Sequence, residues 1–466
     1  MERPLDYLNN LPANDWLIGY NNRQFNQLAQ ELYLQLTQLS TFKTPPKIII
    51  TEREPLKFLA SFIAACAANC PVFLCNPDWG TQEWQQVLDL VQPDIILGVG
   101  NREWGIGNRD CSSPHSPLPT PHSPLIMIPT GGSSGQIKFV IHTWETLIAS
   151  VRGFTQYFQL NKVNSFCILP LYHVSGLMQF IRSFTTGGKL AILPFKVLES
   201  GQTLNIKQSE FFISLVPTQL QRLLENPELT EWLTQFNTVL LGGAPAWSEL
   251  LEKARFHRIR LAPTYGMTET ASQIATLKPD DFLNGKISSG QILPHAQVTI
   301  RNQQGENLNF NQIGNITIQA QSLALGYYPM NKEREDTFQV DDLGFLDDQG
   351  YLNIVGRSSE KIITGGENIY PAEIESAIRA TQMVTDICVI GIPDKHWGQA
   401  LTAIYIPKKS TVCALKIQTL LKEKLTKFKI PKYWIPQQNL PRNSQGKINR
   451  QQLEKIAMEY LQNSLK

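Results

Sequence analysis

Leu125-Ile-Met-Ile-Pro-Thr-Gly-Gly-Ser-Ser-Gly-Gln-Ile-Lys138 sets a short apolar run directly against a loop of glycines and hydroxyls that ends in a lysine. The run Leu125–Pro129 reads as a buried strand, and the loop after it suits a polyphosphate. Gly131, Gly132 and Gly135 let the backbone amides approach a ligand, while Thr130, Ser133 and Ser134 add hydroxyl donors. Lys138 adds a point charge for the terminal phosphates. The spacing G-x-x-x-x-G-K-[ST] is absent, so this is not a Walker A loop. Taken alone, the segment also fits a flexible Gly/Ser turn, and the rest of the chain has to decide.

Outward from this strand, the chain alternates strands with helices. Lys47–Thr51, Pro71–Cys75 and Asp94–Gly98 are short apolar runs, separated by helical patterns over Pro55–Asn69 and Glu83–Val91. Further runs follow at Phe166–Leu169, Leu190–Leu193, Phe212–Val216 and Val239–Leu241. Such alternation predicts parallel βαβ units. After Gly290 the texture changes to short strands between turns, Gln297–Arg301, Asn315–Gln319 and Tyr351–Val355. The last stretch predicts a helix over Pro371–Ala380, strands Ile387–Ile390 and Leu401–Ile406, and a basic helix Leu415–Leu425. The expected fold is α/β. A large N-terminal domain of βαβ-type sheets with a small β-rich subdomain spans 1–358, and a smaller α+β domain spans 359–466. Residues 112–124 repeat PHSPL and hold five prolines, which remove amide donors and read as a disordered surface insertion. His115 and His122 are spaced by that repeat and are not read as metal ligands.

Composition excludes several classes. A net charge of +2 over 466 residues is far from the basic excess of a nucleic-acid binder. The seven cysteines are scattered without a C-x-x-C pair, as in a reduced, cytoplasmic protein. Cys66 and Cys70 are expected in the core. Phe58–Cys75 is apolar but is interrupted by Asn69 and Pro71, so a buried helix and a strand are expected rather than a membrane span. The opening MERPLDYLNN has no basic region followed by an apolar core, and no signal peptide is read.

Four more segments carry chemistry. Leu241-Gly-Gly-Ala-Pro245 ends a strand and offers unhindered backbone at Gly242, Gly243, Ala244 and Pro245 to a flat ligand such as adenine. Pro263-Thr-Tyr-Gly-Met-Thr-Glu-Thr-Ala-Ser272 gathers Tyr265, Gly266, Thr268 and Glu269; Thr268 and Glu269 are hard oxygen donors suited to Mg²⁺ beside phosphate. Asp342 and Arg357 supply a carboxylate for a ribose diol and a guanidinium for ribose or phosphate. Pro441-Arg-Asn-Ser-Gln-Gly-Lys447 presents one lysine on a turn-rich loop.

This ordered set resembles the superfamily of acyl-CoA synthetases, peptide-synthetase adenylation domains and luciferases. The likeness runs from Thr130 to Lys447, with Gly131 and Ile137 departing from the usual serine and proline of the phosphate loop. It implies that a substrate carboxylate attacks the α-phosphate of ATP with Mg²⁺ present and that coenzyme A then takes the acyl group. Lys447 is implied to stabilise the developing charge of the first step. The small domain is implied to rotate about Ser359, withdrawing Lys447 and bringing Gly365-Gly366-Glu367-Asn368 to the site for thiol attack.

The acid is read from other segments. Leu169-Pro-Leu-Tyr-His-Val-Ser-Gly176 resembles the family's acyl-pocket segment, with His173 as a candidate gate and Ser175 beside it. Arg182 lies on the same expected helix, where it either faces the pocket or is exposed to solvent. Ser214–Leu224 and Val140-Ile-His-Thr143 look like the 2-succinylbenzoate–CoA ligases of menaquinone and phylloquinone biosynthesis, whose aromatic dicarboxylate would suit an arginine in the pocket. A ligase for another aryl acid, of benzoate or coumarate type, is the alternative, and an adenylation enzyme loading a separate carrier protein is a second. The chain reaches Lys466 without the serine-bearing segment of a carrier domain. The lysines between Lys416 and Lys432 fit either a solvated face or a contact with the phosphates of coenzyme A. The expected partners are small molecules, with no nucleic acid and no membrane insertion; self-association is left open.

Overall fold

The computed structural model describes residues 2–10, 16–39, 45–98, 123–131, 137–330, 336–364, 367–394, 396–410, 412–422, 424–442 and 448–464. Two compact units divide them: 1–243 with 257–297 and 319–338, and 244–256 with 298–318 and 339–466.

The first unit holds two sheets. In the six-stranded sheet the order is 326–328, 137–143, 125–131, 72–74, 48–51, 95–98. Ile48–Thr51 pairs in parallel with Val72–Leu74 and Ile95–Gly98, and Val72–Leu74 pairs in parallel with Leu125–Gly131, as the alternation predicts. The second sheet runs 17–18, 190–192, 164–167, 211–215, 238–241, 261–267, 272–276, 291–292. It is parallel as far as Leu261–Met267 and antiparallel beyond.

Strand periodicity assigns each residue to a core. Ile48, Ile50, Val72, Leu74, Ile126 and Ile128 join one apolar cluster, whereas Ile49, Phe73, Leu125 and Met127 join another on the opposite face. Helix Pro55–Ala67 fills the first cluster, with a proline at its first turn and a run of buried residues from Leu56 to Cys66, save Lys57. Burying one phenylalanine such as Phe62 contributes roughly 1.5–3 kcal/mol. Cys66 and Cys70 are buried there as expected. Among the described residues no helix is long and apolar enough to cross a membrane.

The second unit contains a four-stranded sheet, 296–301, 314–320, 338–346, 352–357, whose first strand begins in the other unit, and a five-stranded sheet built on the long pair Val384–Asp394 and Gly398–Pro407. Ile387 and Val389 pack with Ile374, Ile378, Ile417 and Leu421 on one face; Cys388 and Ile390 pack with Leu453 and Ala457 on the other. The basic helix is shorter than expected, Ala414–Leu421, because its last buried apolar residue is Leu421. Of the proline-rich insertion only Ser123 and Pro124 are described.

Candidate active site

The glycine- and hydroxyl-rich loop lies between two strands. Leu125–Gly131 and Ile137–Thr143 pair antiparallel, with Thr130 opposite Lys138 and Gly131 opposite Ile137. Gly132, Ser133, Ser134 and Gly135 lie outside the described residues. Lys138 and His142 share one parity of the returning strand and alternate with Phe139 and Ile141, which are fully or almost fully buried in the core.

Beside Lys138 stands a residue that the sequence reading passed over. Strand Gly326–Tyr328 adds to the hairpin with Tyr327 opposite Val140. The Lys138 ammonium lies 5.9 Å from the centre of the Tyr327 ring. The Tyr327 hydroxyl donates to Glu269 Oε1 at 2.6 Å. Burial first, and then the Glu269 charge, hold the phenol well above its ordinary pKa, so it stays a donor. The only sequence signal was the aromatic pair Tyr327-Tyr328 behind a glycine.

Thr268–Thr270 form a single 3-10 turn between strands Leu261–Met267 and Ser272–Thr276. The exit is strained: Ala271 and Ser272 have φ of 51° and 93°, a region L-residues seldom occupy, which costs roughly 1–3 kcal/mol each. Hydrogen bonds from all sides offset that cost. The Glu269 carbonyl accepts from Ala324 N at 2.9 Å, and the Ala271 carbonyl accepts from Ser150 Oγ at 2.7 Å. Thr270 Oγ1 donates to Ser272 O at 2.6 Å, and Arg182 donates to Ser272 Oγ at 3.0 Å. His142 Nε2 reaches the Thr268 carbonyl at 2.7 Å.

The donor set fits Mg²⁺ held together with phosphates. Among the described residues no three His, Cys, Asp or Glu form a metal cage. Glu269 keeps its second carboxylate oxygen clear of the Tyr327 bond, and Thr268 lies next to it. Mg²⁺ keeps several waters and takes one or two carboxylates beside substrate phosphates.

Gly242 and Gly266 are required by close approach. A Cβ on Gly242 would lie 2.6 Å from Thr264 Oγ1, and one on Gly266 only 2.2 Å from Ser272 O. Tyr265 precedes Gly266 on the strand, where the register shifts by a bulge. Gly243, Ala244 and Pro245 are exposed at the end of strand Thr238–Leu241.

His173 is the N-cap of helix Val174–Thr186, its ring 4.6 Å from that of Tyr172, and Ser175 lies in the first turn. Arg182 on this helix is only 2% exposed, which excludes the solvent-facing reading. Its guanidinium stacks 4.3 Å from the Phe154 ring and donates to Ser272 and to Gln273 Oε1 at 3.0 Å. Burial lowers its pKa to about 9, and Nε has no partner. His295 lies near it, packed on Gly153, where a Cβ would meet Nδ1 at 1.7 Å. Burial first, then Arg182, bring the imidazole down to about 4.

In the second unit, Asp342 and Arg357 face each other across strands Phe338–Leu346 and Leu352–Arg357, with Oδ1 and Nε 3.3 Å apart. The preceding Asp341 points the other way and accepts from Ser359 N at 3.1 Å and from the Ser359 hydroxyl. Glu367 is exposed and pairs with Thr364; Gly365, Gly366 and Lys447 lie outside the described residues. Arg442 and Ile448 form an antiparallel bridge on either side of 443–447.

The AMP-binding enzyme pattern matches residues 20–328, and that of the AMP-binding enzyme C-terminal domain matches 373–447. The 2-succinylbenzoate–CoA ligase of Oceanobacillus iheyensis is 34% identical over 60% of this chain and 59% of its own length. That of Enterococcus faecalis is 32% identical over 68% and 67%, and that of Listeria monocytogenes is 36% identical over 70% and 68%. The chain thus spans about three fifths to two thirds of these relatives. In fold it is similar to o-succinylbenzoate CoA synthetase from Bacillus subtilis in complex with its acyl-adenylate intermediate, with a TM-score of 0.81 at 24% identity over 97% of this chain and 98% of that one. ATP-bound MatB from Rhodopseudomonas palustris gives a TM-score of 0.81 at 21% identity over 97% and 98%.

Proposed function

This chain belongs to the AMP-binding enzyme family, and on that premise we propose that it joins 2-succinylbenzoate to coenzyme A through an acyl-adenylate. The observation that carries the substrate is the 36% identity to a 2-succinylbenzoate–CoA ligase over 343 residues.

In the first step a carboxylate oxygen bonds to the α-phosphorus of ATP, and the bond to pyrophosphate breaks. A carboxylate is already nucleophilic, so positioning and charge neutralisation suffice without a general base. Thr130 and Lys138 at the ends of the hairpin loop take the phosphates, together with Gly131–Gly135. Thr268 and Glu269 would hold Mg²⁺, which when bound offsets phosphate charge. Gly242–Pro245 and Tyr265 receive the adenine, while Asp342 and Arg357 meet the ribose. Lys447 stabilises the charge that builds between carboxylate and phosphate. In the second step the thiol of coenzyme A bonds to the acyl carbon and AMP departs; the thiol proton passes to solvent. Residues 359–466 turn about Ser359 between the steps, presenting Gly365, Gly366 and Glu367, and 1–358 keep the nucleotide.

Arg182 supports the dicarboxylate. A guanidinium buried without a carboxylate partner among the described residues needs an anion, and the second carboxylate of the substrate supplies one. His173 and Ser175 border the same acyl site. The enzyme works in the cytoplasm, where ATP and coenzyme A are available.

The test is pyrophosphate release from ATP and Mg²⁺ with 2-succinylbenzoate, benzoate, a coumarate or a fatty acid, each with and without coenzyme A. Turnover on 2-succinylbenzoate, completed to the thioester, is expected. Turnover on another acid alone removes the substrate and keeps the chemistry.

A further inference from the structure

His142 is 0% exposed and lies on the returning strand of the phosphate hairpin, on the same parity as Lys138. Its Nε2 stands 2.7 Å from the Thr268 carbonyl oxygen, 126 residues away in the chain. A carbonyl only accepts, so Nε2 carries the hydrogen. Nδ1 lies 2.9 Å from Thr146 Oγ1; that hydroxyl also lies 2.9 Å from the Thr143 carbonyl oxygen, so its one hydrogen serves either of them, and it accepts from Thr143 N at 3.1 Å. Turning the ring would break the Nε2 bond to Thr268 inside the core.

The carbonyl it grips belongs to the peptide that links Thr268 to Glu269. The next carbonyl, of Glu269 itself, is taken by Ala324 N, and the Glu269 carboxylate by Tyr327. Glu269 is thus fixed before and after its Cα and at its tip, and of these three contacts the one from His142 comes from the hairpin strand carrying Lys138. We propose that His142 is a positioning residue for ATP with Mg²⁺: it ties the Thr268–Glu269 turn to the phosphate hairpin so that both engage one triphosphate. This rests on the roles assigned above to Lys138, Thr268 and Glu269.

The test compares His142→Gln, whose amide places a donor near the position of Nε2, with His142→Asn, whose shorter amide matches only Nδ1. Three quantities are read: the ATP dissociation constant by calorimetry with and without Mg²⁺, acid-dependent pyrophosphate release, and thioester formation from preformed 2-succinylbenzoyl-adenylate and coenzyme A. For His142→Asn, ATP binding in Mg²⁺ and pyrophosphate release should weaken by roughly 10–100-fold, the range for loss of a group that orients a metal ligand. Binding without Mg²⁺ and the thioester step should stay near wild type, and His142→Gln should recover most of the loss. Equal loss in both half-reactions, no loss in either, or failure of glutamine to outperform asparagine overturns the proposal. A wild type that binds ATP with Mg²⁺ but releases no pyrophosphate with any acid overturns the activity instead, while the binding titration still decides the role of His142.

Discussion

Tyr327 and Glu269, 58 residues apart in the chain, meet through a 2.6 Å hydrogen bond from phenol to carboxylate. A bond to a charged group contributes about 1.5–3 kcal/mol. Tyr327→Phe keeps the ring under Lys138 and removes only that bond. The Mg²⁺ concentration for half-maximal pyrophosphate release should rise on the order of tenfold, with a loss of stability no larger than about 1.5–3 kcal/mol. An unchanged Mg²⁺ dependence would separate Tyr327 from the site.

Arg182 is the next prediction. Arg182→Met keeps much of the buried volume and removes the charge. The KM for 2-succinylbenzoate should rise by roughly 10–100-fold, the weight of a charge-assisted contact. The KM for ATP should hold. A matched rise in both would assign Arg182 to supporting Ser272 and Gln273 rather than the acid.

His295 gives the protein an acid weakness. Its pKa falls from 6.5 to about 4 on folding, so between those values the unfolded chain binds the extra proton and the folded one does not. Stability contributed by this residue is complete above pH 6.5 and is lost progressively as pH falls toward 4. Urea midpoints at pH 7 and pH 5 should differ less in His295→Gln than in wild type. An identical pH response would rule the residue out.

Gly266→Ala tests the turn itself. The added carbon would sit 2.2 Å from the Ser272 carbonyl oxygen, a backbone atom fixed by its own hydrogen bonds. Overpacking of this kind costs about 1–3 kcal/mol, and here the backbone must also move. A lower denaturation midpoint together with weaker ATP binding is expected; a variant equal to wild type in both would show the turn to be pliable.

The parallel strands were legible because they are continuous apolar runs, Ile48–Thr51 and Val72–Leu74 being buried on both faces, and Pro55–Ala67 announced itself by the same composition. The antiparallel strands of the second unit, Ile387–Ile390 and Leu401–Ile406, were legible for the same reason, whereas the antiparallel return behind the glycine loop was not. Ile137–Thr143 mixes Lys138 and His142 with Phe139 and Ile141, a short alternation that hides beside a glycine loop. Phosphate and metal candidates could be named from local chemistry, since Thr268 and Glu269 carry oxygen donors wherever they fold. Tyr327 could not, because its role depends on a strand pairing across the hairpin. For Arg182, periodicity allowed both a buried and an exposed position, and only packing against Phe154 decides between them.

The parity of Ile137–Thr143 also governs how this gene can be edited. Residues 132–136 join strands whose positions are set by side chains on both faces, so a change of length there leaves the pairing of Thr130 with Lys138 intact. Inserting or deleting one residue inside the strand is a different event. It would swing Lys138 into the space of Phe139 and Ile141, burying an ammonium in hydrocarbon, and would carry His142 away from the Thr268 carbonyl. The strand behind the loop reads in a fixed frame.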